Sequence, residues 1–134
     1  MISLTAQYAI RAVMHIAQAE RWCTADEVAT LANIPRGYLA KVLQTLTGAG
    51  ILDSQRGLNG GFRIRHECIR VTAYDIVRAI DPVDSYGVCR DCRAGDPGSD
   101  CSANRLFADI QSETDRRLRL ATLADLISAC GPPV

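Results

Sequence analysis

The apolar positions of this chain change period several times, and each change marks an element. From Thr5 to Glu20, Ala6, Ile10, Val13 and Ala17 lie on one helical stripe with Met14 beside it, which predicts a core-forming helix in which Tyr8 is a packing residue. A short helix is predicted after Thr24. T-A-D-E has the form of a capping box, in which Thr24 takes the Glu27 amide and Glu27 reaches back to the capping amide, and Val28, Ala29 and Ala32 supply an apolar face. Asn33-Ile34-Pro35 breaks that helix. Pro35 suits the start of the next one, where no N–H is needed, and Leu39, Val42, Leu43 and Leu46 follow at helical spacing. Gly48 and Gly50 close it, and the pattern turns to β: Ile51-Leu52 and Phe62-Arg63-Ile64-Arg65 flank a Gly-rich tip from Ser54 to Gly61, the signature of a hairpin.

A further short helix is predicted after Thr72, with Asp75 three residues on and apolar positions at 73, 76, 77 and 80, ending at Asp81-Pro82. Apolar residues then almost vanish until Ser102. There a long helix begins, whose narrow stripe of Leu106, Phe107, Ile110, Thr114 and Leu118 is surrounded by Asp109, Glu113, Asp115, Arg116 and Arg117. A narrow stripe on a long helix predicts a partner helix, here a second copy of the chain. Thr122 to Ile127, with Asp125 in the first turn, is a last short helix before Gly131-Pro132-Pro133.

Two short helices followed by a two-stranded hairpin are the outline of a winged helix-turn-helix. The expected architecture is mainly α, with a two-stranded wing and a long C-terminal dimerisation helix. Residues 1–81 form the DNA-binding domain, 82–101 a cysteine-bearing loop, and 102–134 the dimerisation helix with its short successor. Opposite the apolar face of the second short helix stand Arg36, Tyr38, Lys41, Gln44 and Thr45, able to reach phosphates or base edges in a major groove about 12 Å wide. In the wing, Arg56 and Asn59 lie among three glycines that let backbone approach a narrow groove. Between residues 36 and 65 there are five Arg or Lys against one acid, Asp53. A solvated charged face and a plain turn would explain the charges or the loop taken singly. Their placement after a capped helix pair favours double-stranded DNA as the partner.

Charge qualifies that reading. The 15 basic and 15 acidic residues cancel, and the pI near 6.7 gives little general attraction to nucleic acid, so affinity must rest on local contacts and dimerisation. No signal peptide or apolar run long enough for a bilayer is present, which predicts a cytoplasmic protein with no membrane partner. Six cysteines in such a protein are expected to be free, redox-active or metal-bound.

Several strings are similar to those of the winged-helix regulators that include IscR, NsrR and CymR. The family's N-terminal L-T-x-x-x-Y-A-L/I-R-A is similar to Leu4-Thr5-Ala6-Gln7-Tyr8-Ala9-Ile10-Arg11-Ala12, with a small change in spacing: two residues stand between Thr5 and Tyr8 in place of three. Its Y-L recurs at Tyr38-Leu39, its wing R-G-x-x-G-G-Y/F at Arg56 to Phe62, and its T-L-A-D-L at Thr122 to Leu126. The resemblance covers most of the chain and implies a transcriptional regulator.

The remaining chemistry is in the cysteines. Cys89, Cys92 and Cys101 lie within thirteen residues in a stretch of Gly, Asp, Ser and Pro that has too little apolar surface to fold by itself. Thiolates converging on a metal would order it. Three local ligands are one short of a closed zinc site, while iron–sulfur clusters use cysteine and accept a non-cysteine fourth ligand. The resemblance implies the cluster, 2Fe–2S or 4Fe–4S, because sensing members of the family carry three cysteines between winged helix and dimerisation helix. Cys101 matches best, followed by Asn104, Arg105, Leu106 and Phe107; Cys89 and Cys92 are closer together than family spacing. At the positions where relatives place a histidine or an acid as fourth ligand, this chain has Asn104 and Gln7.

Cys23 reads as a buried structural thiol, and Cys130 has no assigned role. His15 reads as a surface or satisfied residue, and the solitary His66-x-Cys68 pair as no site. The reading is thus a homodimeric, non-enzymatic DNA-binding regulator, a repressor, controlled by iron–sulfur status, redox state or nitric oxide. The alternatives are a zinc-stabilised winged-helix interaction module and a thiol oxidoreductase built on Cys89-x-x-Cys92, which lacks the strand and helix pattern such a motif needs.

Overall fold

Ser3 starts the fold: its hydroxyl accepts the Ala6 amide and caps α1 (Leu4–Ala19), which Glu20 ends in the left-handed region at φ 52°. The computed structural model describes residues 2–65, 70–81 and 102–129; Cys89, Cys92 and Cys101, like His66, Cys68 and Cys130, lie outside these. The buried face of α1 is built from Ala6, Ala9, Ala12 and Ala17 with Val13 and Ile16, and the small residues let neighbouring backbones come close.

Thr24 caps α2 (Ala25–Ala32) by accepting the Glu27 amide. The reciprocal half of the expected capping box is replaced: the Glu27 carboxylate pairs with Arg21 at 2.7 Å, a charged donor that binds it more strongly than a backbone amide would. Asn33, at φ 55°, turns the chain, and Pro35 leads into α3 (Arg36–Gly48). Leu39, Val42, Leu43 and Leu46 are all buried, as their spacing predicts.

Strands β1 (Leu52–Gln55) and β2 (Gly61–Ile64) pair antiparallel, Leu52 opposite Ile64 and Gln55 opposite Gly61. β1 continues past Leu52, where the apolar pattern stops. Backbone pairing does not require apolar side chains on an exposed hairpin, so Ser54 and Gln55 join the ladder and the tip shrinks to residues 56–60. β2 pairs on its other side with Cys23: the Cys23 amide donates to the Phe62 carbonyl at 2.9 Å and the Phe62 amide to the Cys23 carbonyl at 2.7 Å. The wing is therefore fastened to the segment between α1 and α2.

In α4 (Ala73–Ile80) the Thr72 and Asp75 side chains complete a capping box. α5 (Ser102–Leu120) runs beside it, and α6 (Leu123–Ala129) returns to the core through Leu123, which is fully buried. A bridge between Thr72 and Thr122 joins the starts of α4 and α6: Ala73 donates to the Ala121 carbonyl and Leu123 to the Val71 carbonyl, each at 2.8 Å. One core cluster unites side chains from α1, α2, α3, β1 and α4 with Leu123, and burying each large aliphatic side chain in it stabilises by about 1.5–3 kcal/mol.

Candidate nucleic-acid interface

Burial of one face of α3 turns Arg36, Tyr38, Lys41, Gln44 and Thr45 outward, and all five are exposed. They differ in freedom. Arg36 Nε lies 2.6 Å from Asp26 Oδ1 on α2. Both groups are largely in water, where such a pair is worth at most about 1 kcal/mol, so a phosphate can replace the carboxylate. Tyr38 is held from behind: its hydroxyl hydrogen-bonds the Thr5 hydroxyl, and its ring stands edge-on to Tyr8 at 5.7 Å. Arg11 lies over the Tyr8 ring at 5.7 Å and donates to the Ala32 carbonyl, one of the acceptors left open at the end of α2. A groove of about 430 Å³ runs between the start of α1, α3 and the end of α4, lined by Thr5, Tyr38, Lys41, Thr45 and Ile80.

At the wing tip Arg56, Leu58 and Asn59 are fully outward; Leu58 is as exposed as in an extended chain. Gly60 and Gly61 are required there by contact, since a Cβ on Gly60 would sit 2.1 Å from the Gln55 carbonyl oxygen and one on Gly61 2.2 Å from that of Cys23. The two other basic residues of the wing are engaged on the protein. Arg65 Nε pairs with Asp53 at 2.7 Å, and the Arg63 guanidinium lies 4.4 Å from the centre of the Trp22 ring. Of the five basic side chains in this region, Lys41, Arg56 and Arg63 form no ion pair with the described residues; Arg63 is held against the Trp22 ring, which leaves Lys41 and Arg56 as the two cations not engaged by the described residues.

Behind this surface, α5 has no buried residue, and Leu106, Phe107 and Ile110 are each more than half exposed. Its later part is clamped to α4. Arg78 donates to both oxygens of Asp115, at 3.1 and 3.3 Å, and Gln111 donates to Asp115 at 2.7 Å. Tyr74 lies between the guanidinium groups of Arg119 and Arg78, at 4.3 and 5.1 Å, and their hydrogen bonds, Arg119 foremost, hold its hydroxyl pKa below the usual phenol value. On the opposite face of α5, Arg116 and Arg117 hold Glu113 down to about 2.

Of the candidate ligands, Gln7 is exposed in the first turn of α1 with its amide donating to Ile2, and Asn104 is half-buried in the first turn of α5. Cys23 is buried; burial pushes its thiol pKa up, and Sγ points at the Arg21 carbonyl at 3.6 Å, as befits a structural thiol. His15 is half-buried on α1, and burial, then the charge of Arg11, lowers its pKa. Among the described residues no three His, Cys, Asp or Glu side chains converge as a metal site, and no helix is long and apolar enough to cross a membrane. The sequence reading missed Thr5, Arg11, Trp22 and Asp81 as partners of the exposed elements, because helical periodicity places residues on a face and says nothing of what lies across it.

A family model, Rrf2, described as iron-dependent transcriptional regulator, matches residues 2–129. The chain belongs to the Rrf2 family. It is 30% identical over 127 residues to protein aau3 of Rhizobium meliloti, covering 91% of this chain and 81% of that protein. It is 28% identical over 135 residues to a protein of Aquifex aeolicus named as an HTH-type transcriptional regulator, covering 96% of this chain and 92% of that one. Among solved structures, the fold is similar to that of IscR of T. potens, with a TM-score of 0.77 at 20% identity over 98% of this chain and 88% of that one. It is also similar to CymR, the global cysteine regulator of B. subtilis, with a TM-score of 0.73 at 26% identity over 96% and 97% of the two chains. The chain is thus a winged-helix, DNA-binding transcriptional regulator. The family consists of regulators and not enzymes, which removes the oxidoreductase reading of Cys89-x-x-Cys92.

Proposed function

We propose that this Rrf2-family regulator is a homodimeric repressor whose hold on its operator is set by an iron–sulfur cluster on Cys89, Cys92 and Cys101. Lys41 meets a backbone phosphate, Tyr38 and Gln44 meet phosphate or base edges, Arg36 exchanges Asp26 for phosphate, and Arg56 and Asn59 enter the neighbouring minor groove. The observation that carries the regulatory half is α5. It starts at Ser102, next in sequence to Cys101, leaves Leu106, Phe107 and Ile110 uncovered, and is locked to α4 through Arg78 and Asp115. A helix with that exposure suits a seam between two copies, and a ligand immediately before its first residue acts directly on the seam.

The donor set fits the cofactor: three thiolates suit iron in a cluster, and a thiolate preceding a helix is favoured by the helix dipole. When bound, the cluster supplies one-electron redox chemistry and reactivity toward oxygen or nitric oxide. Gln7, Asn104, an exogenous thiol or water would complete the coordination. Anaerobic purification of the full chain, with iron, acid-labile sulfide and zinc assayed, tests this. A brown protein that loses its visible absorbance on Ser substitution at 101, 89 or 92, but keeps it at 23, 68 or 130, is expected. Stoichiometric zinc with no sulfide would replace the sensor by a zinc-stabilised module, and a full cluster in Cys101→Ser would remove Cys101 from the ligand set.

A further inference from the structure

Asp81 is the one charged side chain buried among the described residues. Among these residues its oxygens are engaged by Ser3 and by no cation: Oδ2 accepts the Ser3 amide at 2.9 Å and Oδ1 the Ser3 hydroxyl at 2.5 Å. Burying a carboxylate away from water is costly unless it is well hydrogen-bonded, so these bonds strongly fix the position of Ser3 relative to the end of α4. The same Ser3 hydroxyl accepts the Ala6 amide at 3.0 Å, and the Ser3 carbonyl accepts the Gln7 amide at 3.1 Å, so the first turn of α1 is built on the anchored residue. Thr5 lies within that turn and its hydroxyl bonds that of Tyr38. Tyr38 is in the first turn of α3, where its amide and that of Leu39 both donate to the Pro35 carbonyl at 3.1 Å.

We infer that Asp81, Ser3 and Thr5 form a polar relay that positions Tyr38, and with it the first turn of the recognition helix, for contact with DNA. None of the three lies on α3 or the wing, and none needs to touch DNA. Tyr38 has two χ torsions to lose on binding; a hydroxyl partner at one end and the Tyr8 edge along the ring remove that freedom in advance, which raises affinity without a new contact. The relay also gives α4 a route to the DNA surface that does not pass through the core: any shift at residue 81 moves Ser3, then Thr5, then Tyr38.

The inference rests on α3 as the DNA-contacting helix, so it is tested in the free protein as well as on DNA. The probes are a duplex selected by the wild-type chain from a random library and a scrambled duplex of equal length. Thr5→Val and Tyr38→Phe are each expected to weaken the selected duplex about 3- to 10-fold, the worth of one hydrogen bond, and the double variant no more than either alone. Asp81→Asn and Ser3→Ala should weaken it similarly, Ser3→Thr should restore it, and neither loss should persist in the Tyr38→Phe background. In the DNA-free protein, Thr5→Val and Asp81→Asn should speed hydrogen exchange at the Tyr38 and Leu39 amides while leaving Val28 and Ala29 in α2 unchanged. A merely structural role predicts multiplied losses in the double variants, or faster exchange throughout the core, and either result overturns the relay. Unchanged exchange at Tyr38 and Leu39 overturns it whatever the DNA measurements give, and altered exchange with wild-type affinity throughout would instead count against Tyr38 as a DNA contact.

Discussion

Gly61→Ala should be among the most damaging single-methyl changes in this protein. Gly61 has φ 139°, and a Cβ there would lie 2.2 Å from the Cys23 oxygen, 2.5 Å from its carbonyl carbon and 3.0 Å from the Thr24 nitrogen. These are backbone atoms held by the reciprocal Cys23–Phe62 bonds at 2.9 and 2.7 Å, so they cannot swing aside as a side-chain end would. The chain relieves the clash by opening the bridge, which caps the penalty. Two backbone hydrogen bonds are lost at about 1 kcal/mol each. Unfavourable backbone torsion adds about 1–2 kcal/mol. The total, about 3–4 kcal/mol, is a large share of the roughly 5–15 kcal/mol by which such domains are stable. Gly57 is the internal control: φ is 114°, but no atom lies within 4 Å of a Cβ there, so Gly57→Ala should cost only the torsional part, about 1 kcal/mol. Urea unfolding of both variants, followed by far-ultraviolet circular dichroism, measures the difference. A Gly61→Ala protein within about 0.5 kcal/mol of wild type, at unchanged denaturant slope, would refute the claim that the Cys23 bridge fastens the wing.

Three further outcomes concern the DNA-facing side chains, the uncovered face of α5 and the buried Cys23. Lys41→Ala should weaken binding on selected and scrambled duplexes alike and flatten the salt slope by about one unit, whereas Arg56→Ala should cost roughly 1–3 kcal/mol and relax specificity; equal loss with unchanged specificity would deny the wing a reading role. Ile110→Asp places a charge on the uncovered face of α5 and should give monomers in sedimentation with weak binding to a two-fold operator; a dimeric variant would move the seam elsewhere. Cys23, buried with its thiol pKa raised, should resist iodoacetamide at pH 8 until urea unfolds the chain, and rapid alkylation in the native protein would contradict its structural assignment.

The parts of the fold that sequence revealed are those governed by local rules. Thr24, Pro35 and Thr72 mark helix starts because orphan amides need an acceptor or no partner at all, and Leu39 to Leu46 declare a buried face by spacing alone. The extent of β1 was hidden because Ser54 and Gln55 pair through backbone, which leaves no trace in the apolar pattern. The outward side of α3 and the tip of the wing were legible as surfaces, but not the state of their charges. Arg36 with Asp26, Arg65 with Asp53 and Arg63 with Trp22 each depend on how two elements cross, and only three-dimensional placement decides which cation stays free for a phosphate. Thr5 and Tyr38 are separated by 33 residues and share no periodic relation. Cys89, Cys92 and Cys101 are the converse case: their pattern is plain in the sequence, and they lie outside the described residues, so their chemistry rests on spacing and family.

The short helix α4 explains how a change at the long helix can reach DNA at all. At its start the Thr72–Thr122 bridge joins it to α6; along its length Tyr74 and Arg78 grip Arg119 and Asp115 of α5; at its end Asp81 holds Ser3, the cap of α1. Eight residues of helix are only about 12 Å long, so attachments at start, middle and end leave no free hinge within it. Ala73, Ile76 and Val77 are buried beneath those polar contacts, and rotating α4 would have to expose them. In the proposed mechanism a movement of α5 would therefore reach α1 and α3 as a displacement of the whole domain. In the proposed dimer, two such domains must meet half-sites about 34 Å apart, or a multiple of that, on one face of the duplex. A tilt at the α5 seam changes that separation in proportion to the lever between seam and recognition helix, while a change within one domain does not. Regulation acting on the seam therefore needs no distortion of the recognition surface itself, only a geometry in which one copy is bound and the second is out of register.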